Sequence, residues 1–312
     1  MQVPVNLISS PLNYTGGKFK LLPQLLPLFP ENITTFVDLF CGGCNVAVNV
    51  KAQNYICNDS DKHLIGLLQK IKSDGSENFA NNIKAVIQNF NLSDTTQNKY
   101  DFYKCSSSAG LGKYNKQYFL GLREHFNSLA KADNQYFYEL FTLIVFAFNN
   151  QIRFNSEEQF NLPVGKRDFN KKMQNKLQIF SNALQEKKIK FTNKSFEKTE
   201  IDFLPENSFI YCDPPYLITT ATYNEKKGWT ENEERLLLSF LDKCKKKNIR
   251  FALSNVLSTD GKENQILKNW VSENDYFCHH LNYSYKNSNY HKKSSKIKTD
   301  EVLITNYEVQ NG

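Results

Sequence analysis

Four consecutive residues, Asp213, Pro214, Pro215 and Tyr216, have the types and order that could perform chemistry on a planar amino group. Proline has no backbone N–H and restricts φ, so this corner presents only acceptors: the Asp213 carboxylate and the Asp213 and Pro214 carbonyls. Two acceptors on the hydrogens of an amino group such as N6 of adenine would free its delocalised lone pair. The Tyr216 ring would meanwhile hold the base by stacking.

The position of this corner supports a ligand-binding role. The apolar, β-rich stretch 208–212 before Asp213 predicts a short buried strand, and open α/β sheets bind ligands beyond the carboxyl ends of their strands. The alternative is a strand that ends in a Pro-Pro turn with a buried tyrosine. A methyl-donor site elsewhere in the chain decides between the two interpretations.

The composition bounds the fold and the partners. The chain has 312 residues, of which 40% are hydrophobic, enough for one large or two smaller domains. We see no apolar run long enough to span a membrane, no signal peptide pattern and an odd count of seven cysteines, so we expect reduced thiols and a cytoplasmic protein. The net charge of +7 permits an anionic partner without proving one.

Two glycine pairs in the N-terminal third could border a bound cofactor. Gly16 and Gly17 precede Lys18 and the helix-like run 21–29, so backbone could approach an anionic ligand there. The alternative is an ordinary Gly-Gly turn. The stretch 35–48 predicts a strand, a glycine turn and a helix start, as in the first βα unit of a nucleotide-binding sheet.

Several side chains near these turns are candidate cofactor contacts. Gly42 and Gly43 would clear space, and Asp38 would accept from turn amides or from a cationic amino group. Asp59 ends the second predicted strand, 54–59, about 20 residues after Asp38, where such folds hold ribose hydroxyls. Its alternative role is as the N-cap of the following helix. The Cys-x-x-Cys pair, Cys41 and Cys44, lacks a second pair, so no metal site is predicted.

The middle of the chain, from about 62 to 169, interrupts the strand pattern. Helix-like stretches occur at 83–90, 118–129 and 136–149, with a Ser- and Gly-rich loop at 104–116. A polar loop or hairpin follows at 150–167. Its side chains could read base edges, contact phosphates or wedge between base pairs, or the loop could be merely solvated. The candidate DNA contacts in it are Arg153, Phe154, Asn155, Asn161, Pro163, Lys166 and Arg167.

The C-terminal third returns to alternating helices and strands. Helices are predicted at 171–186 and from an N-cap at Thr230 to about 247. Strands are predicted at 189–193, 250–255, 276–281 and 301–307, and Ser195 and Phe196 could flank a purine ring after the first of them. The basic loop 286–298, which includes Lys292 and Lys293, is either a solvated tip or a phosphate-contacting one.

Together these segments resemble the D12-class, Dam-like DNA adenine-N6 methyltransferases in their α arrangement. Most of the chain takes part, and five motifs occur in the family's order. The motifs are Tyr14-Thr15-Gly16-Gly17-Lys18; Asp38-Leu39-Phe40-Cys41-Gly42-Gly43; Asn58-Asp59; Arg153-Phe154-Asn155 with Phe160-Asn161-Leu162-Pro163-Val164-Gly165; and Asp213-Pro214-Pro215-Tyr216.

The resemblance implies a fold, a cofactor and a substrate. The expected fold is a Rossmann-like α/β methyltransferase sheet, mostly parallel with seven strands and the last antiparallel, carrying an inserted, mostly helical target-recognition domain with a hairpin loop. The catalytic domain would comprise residues 1–62 and 171–312, and the recognition domain 63–170. S-adenosylmethionine would bind among the glycine turns and Tyr14, Lys18, Asp38, Phe40, Asp59, Phe196 and Asp213.

The implied substrate is an adenine flipped out of double-stranded DNA. Asp213 and Pro214 would take the N6 hydrogens and Tyr216 would stack on the base. Asn13 and Ser156-Glu157-Glu158-Gln159 depart from the pattern common in GATC-specific members, so a GATC target is not assumed. A partner endonuclease is compatible with this activity, and no oligomer is required. The alternatives are cytosine-N4 methylation and a non-catalytic DNA-binding regulator of the same fold.

Overall fold

A computed structural model of the chain describes residues 6–13, 16–219, 229–282 and 299–309. Tyr14, Lys292, Lys293 and the basic loop 286–298 lie outside the described residues. The strands are β1 (Ile33–Asp38), β2 (Ala52–Asn58), β3 (Ile189–Thr192), β4 (Phe209–Cys212), β5 (Arg250–Thr259), β6 (Lys262–Glu263), β7 (Phe277–Leu281) and β8 (Thr299–Thr305). The α-helices are α1 (Leu22–Leu25), α2 (Lys62–Asn89), α3 (Gly112–Ser128), α4 (Tyr136–Phe146), α5 (Lys171–Glu186), α6 (Glu231–Lys246) and α7 (Gln265–Glu273).

The strands form one sheet in the order β3-β2-β1-β4-β5-β8-β7, and the two-residue β6 pairs with β5. Neighbours from β3 to β5 are parallel, whereas β8 is antiparallel to both β5 and β7. The central strands β1 and β4 are almost wholly buried, as parallel strands covered on both faces must be. This arrangement confirms the mostly parallel sheet with an antiparallel last strand.

The chain forms two compact units. The first comprises Met1–Gly17, Gly42–Val48 and Asp61–Lys187, and the second comprises Lys18–Cys41, Asn49–Ser60 and Lys188–Gly312. The second unit holds the strands, α1, α6 and α7, and the first holds α2 to α5. The predicted boundary between catalytic and recognition domains concerns function and stays a prediction.

Within the second unit, α6 and α7 pack on one face of the sheet. Leu237 and Leu241 of α6 and Leu267 of α7 join strand residues such as Val37 and Phe251 in one buried cluster. Full burial of each such side chain contributes about 1.5–3 kcal/mol. Alternation along the strands sends the neighbouring side chains to the opposite face, into an aromatic cluster. Its members are Phe29, Phe36, Tyr55, Phe209, Tyr211 and Tyr307.

Several helix and strand ends agree with the sequence patterns. Helix α5 has the predicted bounds, and α6 begins after Thr230 with a capping box to Glu233. The pattern beginning at Asp61 and the stretch 83–90 belong to a single element, α2, interrupted by Gly75 at φ 74°. Asp61 caps that helix by accepting from the backbone N–H groups of His63 and Leu64.

Other local predictions were wrong for identifiable reasons. The glycine turn leads into further turns, with Val48 N–H donating to Cys44 O at 3.3 Å, and not into a helix; Cys44 takes a left-handed φ of 63° there. Helix α4 ends at Phe146 because Ala147 is extended and pairs with Val164. Helix α3 begins at Gly112 and therefore occupies part of the predicted loop 104–116. Within that part, the fully buried Asn115 hydrogen-bonds Ser93.

Candidate active site

The sheet changes the direction of its connections between β1 and β4. From β1 the chain proceeds outward through β2 and β3, and from β4 it proceeds through β5 on the other side. Asp38, the last residue of β1, pairs with Tyr211 of β4, and Asp213 follows β4 directly. A topological switch point of this kind is where open α/β sheets bind ligands. Asp38 and Asp213, the carboxylates at the ends of the central strands β1 and β4, therefore lie at the edge of the sheet where ligands are expected.

Asp213 is the centre of a buried polar cluster formed with Lys18, Tyr216 and Glu301. The Lys18 Nζ lies 2.8 Å from Asp213 Oδ1, and the Tyr216 hydroxyl donates to the same oxygen at 3.0 Å. Both groups also reach Glu301 Oε1, Lys18 at 3.7 Å and the Tyr216 hydroxyl at 3.4 Å. The Lys18 ammonium lies 5.0 Å from the centre of the Tyr216 ring.

The charges of this cluster are shielded to different degrees. The side chains of Lys18 and Glu301 are 5% and 2% exposed, whereas that of Asp213 is 17% exposed and is the one that solvent or a ligand can reach. Burial raises the pKa of the Asp213 carboxyl, and the Lys18 charge together with the Tyr216 hydrogen bond offsets part of that rise. Asp213 is thus an accessible acceptor with an elevated proton affinity.

The two prolines shape the corner without donating hydrogen bonds. Pro214 is buried and Pro215 is partly exposed. The following turn is closed by Thr219, whose backbone N–H and hydroxyl both donate to the Tyr216 carbonyl at 3.2 Å. The structure therefore brings Asp213, Pro214, Pro215, Tyr216 and Lys18 into one corner.

Glu301 is a member of the cluster that sequence reasoning missed. It lies in β8 opposite Val256 of β5, in an antiparallel pair. The amino end of an antiparallel strand lies at the same edge as the carboxyl ends of its parallel neighbours, so Glu301 reaches the switch-point edge. A search for functional residues only beyond the carboxyl ends of strands therefore misses Glu301. Its signal would have been an acidic residue directly before the apolar run 302–304.

Three aromatic side chains of the second unit, Phe40, Phe196 and Trp229, form a cluster. Phe40, just after β1, lies 5.5 Å from Phe196 and 5.9 Å from Trp229, and Phe196 lies 5.9 Å from Trp229, measured between ring centres. Phe196 is a predicted purine contact, whereas Trp229, which comes just before the N-cap of α6, is not among the predicted contacts. The neighbouring Ser195 is exposed and donates its hydroxyl to Glu197 at 2.7 Å.

Trp229 is held by the fully buried carboxylate of Glu234. The indole Nε1–H donates to Glu234 Oε2 at 2.6 Å, while the side-chain amides of Asn255 and Asn264 donate to Oε1 at 3.2 and 2.8 Å. Asn264 in turn caps α7 through Leu267 N–H. Three neutral donors thus satisfy this buried carboxylate, and one of them fixes the indole against the other two rings.

The ends of β1, β2 and β3 are joined by Asn58. Its amide donates to the carbonyls of Leu39 and Lys194 at 3.1 and 3.0 Å, and its oxygen accepts from the Thr192 hydroxyl at 2.9 Å. The adjacent Asp59 is buried, and its carbonyl accepts from Asn193. Because Asp61 caps α2, Asp59 is not needed as the N-cap, and the ribose role stays its prediction.

The predicted glycine contacts belong to the first unit. Gly16 and Gly42 have left-handed φ values of 79° and 47°, which side chains rarely adopt. A Cβ on Gly43 would lie 3.3 Å from Ser10 Oγ, so that turn is tightly packed. Gly17 is exposed. These positions are suited to close backbone approach, and their cofactor role stays a prediction.

The predicted DNA-reading segment forms a hairpin in the first unit. Phe154 and Phe160 pair across it, and Asn155 closes its tip by accepting from Gln159 N–H at 2.9 Å. The Arg153 guanidinium donates to the Asn161 side chain and carbonyl at 2.7 and 3.0 Å, so these two residues brace each other. The contacts of Arg153 and Asn161 with bases stay predictions, and both residues would make them from a hairpin that is already formed.

Phe154 packs inside the unit. Its ring stacks on His63 with centres 4.1 Å apart and planes at 18°, and it lies edge-on to Phe160 at 5.9 Å. Burial lowers the pKa of His63, which keeps the ring neutral for this stack. A wedge role for Phe154 would therefore require the ring to leave these partners.

The acidic tip has partners of its own. Glu158 accepts from Lys62 at 2.5 Å and from Lys131, and these two contacts hold the pKa of its carboxyl low, at about 2. These two lysines consequently reduce the repulsion that the charge of Glu158 would exert on a DNA phosphate. Asn13 donates to the Asn149 carbonyl at 2.8 Å.

The remaining predicted DNA contacts lie on the surface of the same unit. Pro163, Lys166 and Arg167 are exposed, and their segment is anchored through its backbone. The Pro163 carbonyl accepts from Phe148 N–H and the Lys166 carbonyl from Leu111 N–H, both at 2.9 Å.

Two other features, a metal-binding group and a membrane-spanning helix, are absent from the described residues. No group of three or more His, Cys, Asp or Glu side chains is arranged there to hold a metal ion. Nor does any helix within those ranges have the length and apolar character that crossing a membrane requires.

Comparison with known proteins agrees with this geometry. A family model described as D12 class N6 adenine-specific DNA methyltransferase matches residues 14–296. Type II methyltransferase M.FokI of Planomicrobium okeanokoites is 39% identical over 306 residues, and modification methylase StsI of Streptococcus sanguinis is 40% identical over 309. These alignments cover 96% and 97% of this chain but 43% of each relative's length. A DNA adenine methylase of Haemophilus influenzae is 28% identical, with 78% of both chains covered.

Proposed function

Because the chain belongs to the D12 class of N6 adenine-specific DNA methyltransferases, we propose that it methylates N6 of adenine in double-stranded DNA with S-adenosylmethionine as donor. The observation that carries this proposal is the corner at Asp213, where an accessible carboxylate, two donor-free prolines and an aromatic ring meet at the switch point. A planar amino group fits that corner through its two hydrogens.

The residues of the second unit fit the chemistry of the donor. Phe40, Phe196 and Trp229 offer aromatic faces for its purine ring, and the buried carboxylates Asp59 and Asp38 suit its ribose hydroxyls and its ammonium group. When bound, S-adenosylmethionine supplies an electrophilic methyl group on a sulfonium. The charge of the sulfonium also suits a site rich in carboxylates.

The corner itself performs the substrate's half of the reaction. The Asp213 carboxylate and the Pro214 carbonyl accept the two N6 hydrogens, which makes the nitrogen lone pair available for attack. This lone pair would be the nucleophile toward the methyl group that a bound S-adenosylmethionine would supply, and the carbon–sulfur electron pair would leave with sulfur. The proton that the amino group loses passes to Asp213, whose raised pKa suits an acceptor, and then to solvent.

Recognition of the DNA is assigned to residues 63–170, and we place the base-reading groups on the hairpin. Its amide side chain Asn155 and the Arg153–Asn161 pair present planar hydrogen-bonding groups on a rigid scaffold. Exposed Lys166 and Arg167 are placed to contact phosphates. The target adenine must be flipped out, since its N6 cannot reach the corner inside a duplex.

The names of the relatives suggest a biological setting. StsI is named a modification methylase and M.FokI a type II methyltransferase, so we propose a modification role, with a cognate endonuclease acting separately. A solitary Dam-like role is the second possibility, after the Haemophilus influenzae relative. Either role places the enzyme with DNA in the cytoplasm of a bacterial cell.

A product analysis tests the proposed function. The chain is incubated with methyl-labelled S-adenosylmethionine and unmodified bacterial DNA, the DNA is digested to nucleosides, and methylated sites are mapped by sequencing. We expect labelled N6-methyladenosine at one short sequence. Labelled N4-methylcytosine would replace the adenine assignment, and a folded, cofactor-binding chain that labels no DNA would overturn the proposal.

The aromatic faces can be tested without turnover, because the chain has two tryptophans. Replacing Trp270 by Phe leaves Trp229 as the single indole, and titration with S-adenosylhomocysteine should change its fluorescence intensity saturably by about 20% or more, as stacking alters an indole's surroundings. In the matched Trp229→Phe protein, Trp270 packs against Phe251 in the core and should not respond. A response confined to Trp270 would contradict this placement of the purine ring.

A further inference from the structure

The resting arrangement of the polar cluster presents a chemical conflict, if the proposed function is taken as the starting point. Asp213 Oδ1 already accepts from Lys18 at 2.8 Å and from the Tyr216 hydroxyl at 3.0 Å. An ammonium on a carboxylate withdraws the electron density that an amino hydrogen must find there. Asp213 Oδ1 is therefore occupied in this state, and the ammonium weakens the carboxylate as a whole as an acceptor.

The same two donors have a second acceptor within reach. Glu301 Oε1 lies 3.7 Å from Lys18 Nζ and 3.4 Å from the Tyr216 hydroxyl. Lysine has four rotatable side-chain bonds, and a shift of less than about 1 Å would bring its ammonium to hydrogen-bonding distance of Glu301. Neither donor needs to cross the site to exchange its partner.

Burial favours a second carboxylate for this charge. Lys18 is 5% exposed, so a carboxylate close to its ammonium makes the release from Asp213 easier than release with none nearby. Glu301 is 2% exposed and its carboxylate gains from the ammonium in turn. The exchange keeps one positive and one negative charge paired while Asp213 becomes available.

We propose that Glu301 is a positioning residue that receives Lys18 and the Tyr216 hydroxyl when the target amino group engages Asp213. Glu301 itself touches neither substrate nor methyl group. Its function is to let Asp213 switch from a paired, resting carboxylate to a free acceptor. The charged and titratable groups around Asp213 in this exchange are Lys18, Tyr216 and Glu301, with Tyr211 on the preceding strand β4 and Asp38 at the end of the neighbouring β1.

The central variant is Glu301→Gln, which keeps the shape and removes the charge. Lys18 should then stay on Asp213, and the single-turnover rate of methyl transfer at the mapped site should fall about 10–100-fold. The dissociation constant for S-adenosylhomocysteine should change less than about threefold. Glu301→Asp, which restores the charge, should recover most of the rate. The matched control is Asp300→Asn on the same strand as Glu301. The Asp300 carboxylate pairs with His280 of β7, and its replacement should leave the rate unchanged.

The pH profile separates this role from a purely structural one. A negative neighbour raises the pKa of a carboxyl, so removing the Glu301 charge should lower the pKa of Asp213. The acidic limb of the rate profile should move to lower pH by about one unit in Glu301→Gln, even though its plateau is lower. A merely destabilised variant would lose rate without that displacement.

A DNA-free measurement distinguishes a failure of this inference from a failure of the proposed function on which it rests. Carbon-13 labelling of aspartate carboxyls, with Asp213→Asn assigning the resonance, follows the titration of Asp213 in the free protein. A lower pKa in Glu301→Gln is expected, and an unchanged one overturns the inference even if the wild type methylates DNA. If the wild type methylates nothing, the proposed function fails, and so does the exchange of partners inferred here, whatever the titration shows.

Discussion

Replacing Asp213 by asparagine should lower the single-turnover rate of methyl transfer by about 1,000-fold, which corresponds to about 4 kcal/mol of lost transition-state stabilisation. The asparagine keeps the shape of the side chain but removes the charge and offers an amide N–H toward the substrate's own N–H groups. Lys18 would also lose its partner at 2.8 Å and turn to Glu301. The rate is measured with labelled S-adenosylmethionine at the mapped site.

The variant must be shown to fail in chemistry and not in folding. Circular dichroism and the Trp229 fluorescence response to S-adenosylhomocysteine should stay close to wild type, with affinity changed less than about tenfold. Asp202→Asn is the matched control, because Asp202 is an exposed carboxylate of the same unit that pairs with Lys247. Retention of a tenth or more of the wild-type rate in Asp213→Asn would remove the corner from the mechanism.

Replacing Glu234 by leucine should destabilise the second unit by about 3–5 kcal/mol. The carboxylate is fully buried and accepts from three donors, the Trp229 indole and the amides of Asn255 and Asn264. Leucine would leave all three N–H groups without this acceptor in a place that water does not reach. The free energy of unfolding is measured by urea titration followed by circular dichroism.

Glutamine at position 234 separates the loss of hydrogen bonds from the loss of charge. Glu234→Gln retains one acceptor oxygen and should cost about 1–2 kcal/mol, with the indole or the two asparagines kept. Glu231→Gln, at an exposed position on the same helix, should have almost no effect. A leucine variant as stable as wild type would mean that the three donors find other partners, and the fixed position of Trp229 would need another explanation.

These two carboxylates differ in how visible they are in the amino-acid sequence. Asp213 stands at the end of an apolar strand and before two prolines, so local pattern and chain chemistry identify it. Glu234 stands in the first turn of a helix, where acids are common for their favourable interaction with the helix dipole. Its burial beneath Trp229 and α7 depends on tertiary packing, and the sequence pattern contains no sign of it.

The hairpin of the first unit shows the same division. Its location and its amide-rich composition follow from residues 150–167. The mutual bracing of Arg153 and Asn161, and the stacking of Phe154 on His63, depend on where the chain folds back and on which helix it meets. A residue type that suits DNA recognition equally suits holding the hairpin together.

The amino-acid sequence by itself determined the succession of strands and helices along the chain and the corner at Asp213, because apolar runs, caps and prolines act on their immediate neighbours. It also carried the family's five motifs, which are local. Only the tertiary structure decided that Glu301 and Lys18 share that corner and that Trp229 joins Phe40 and Phe196. The reason is that these contacts depend on strand order and on the antiparallel direction of β8, which long-range pairing sets and no local pattern encodes.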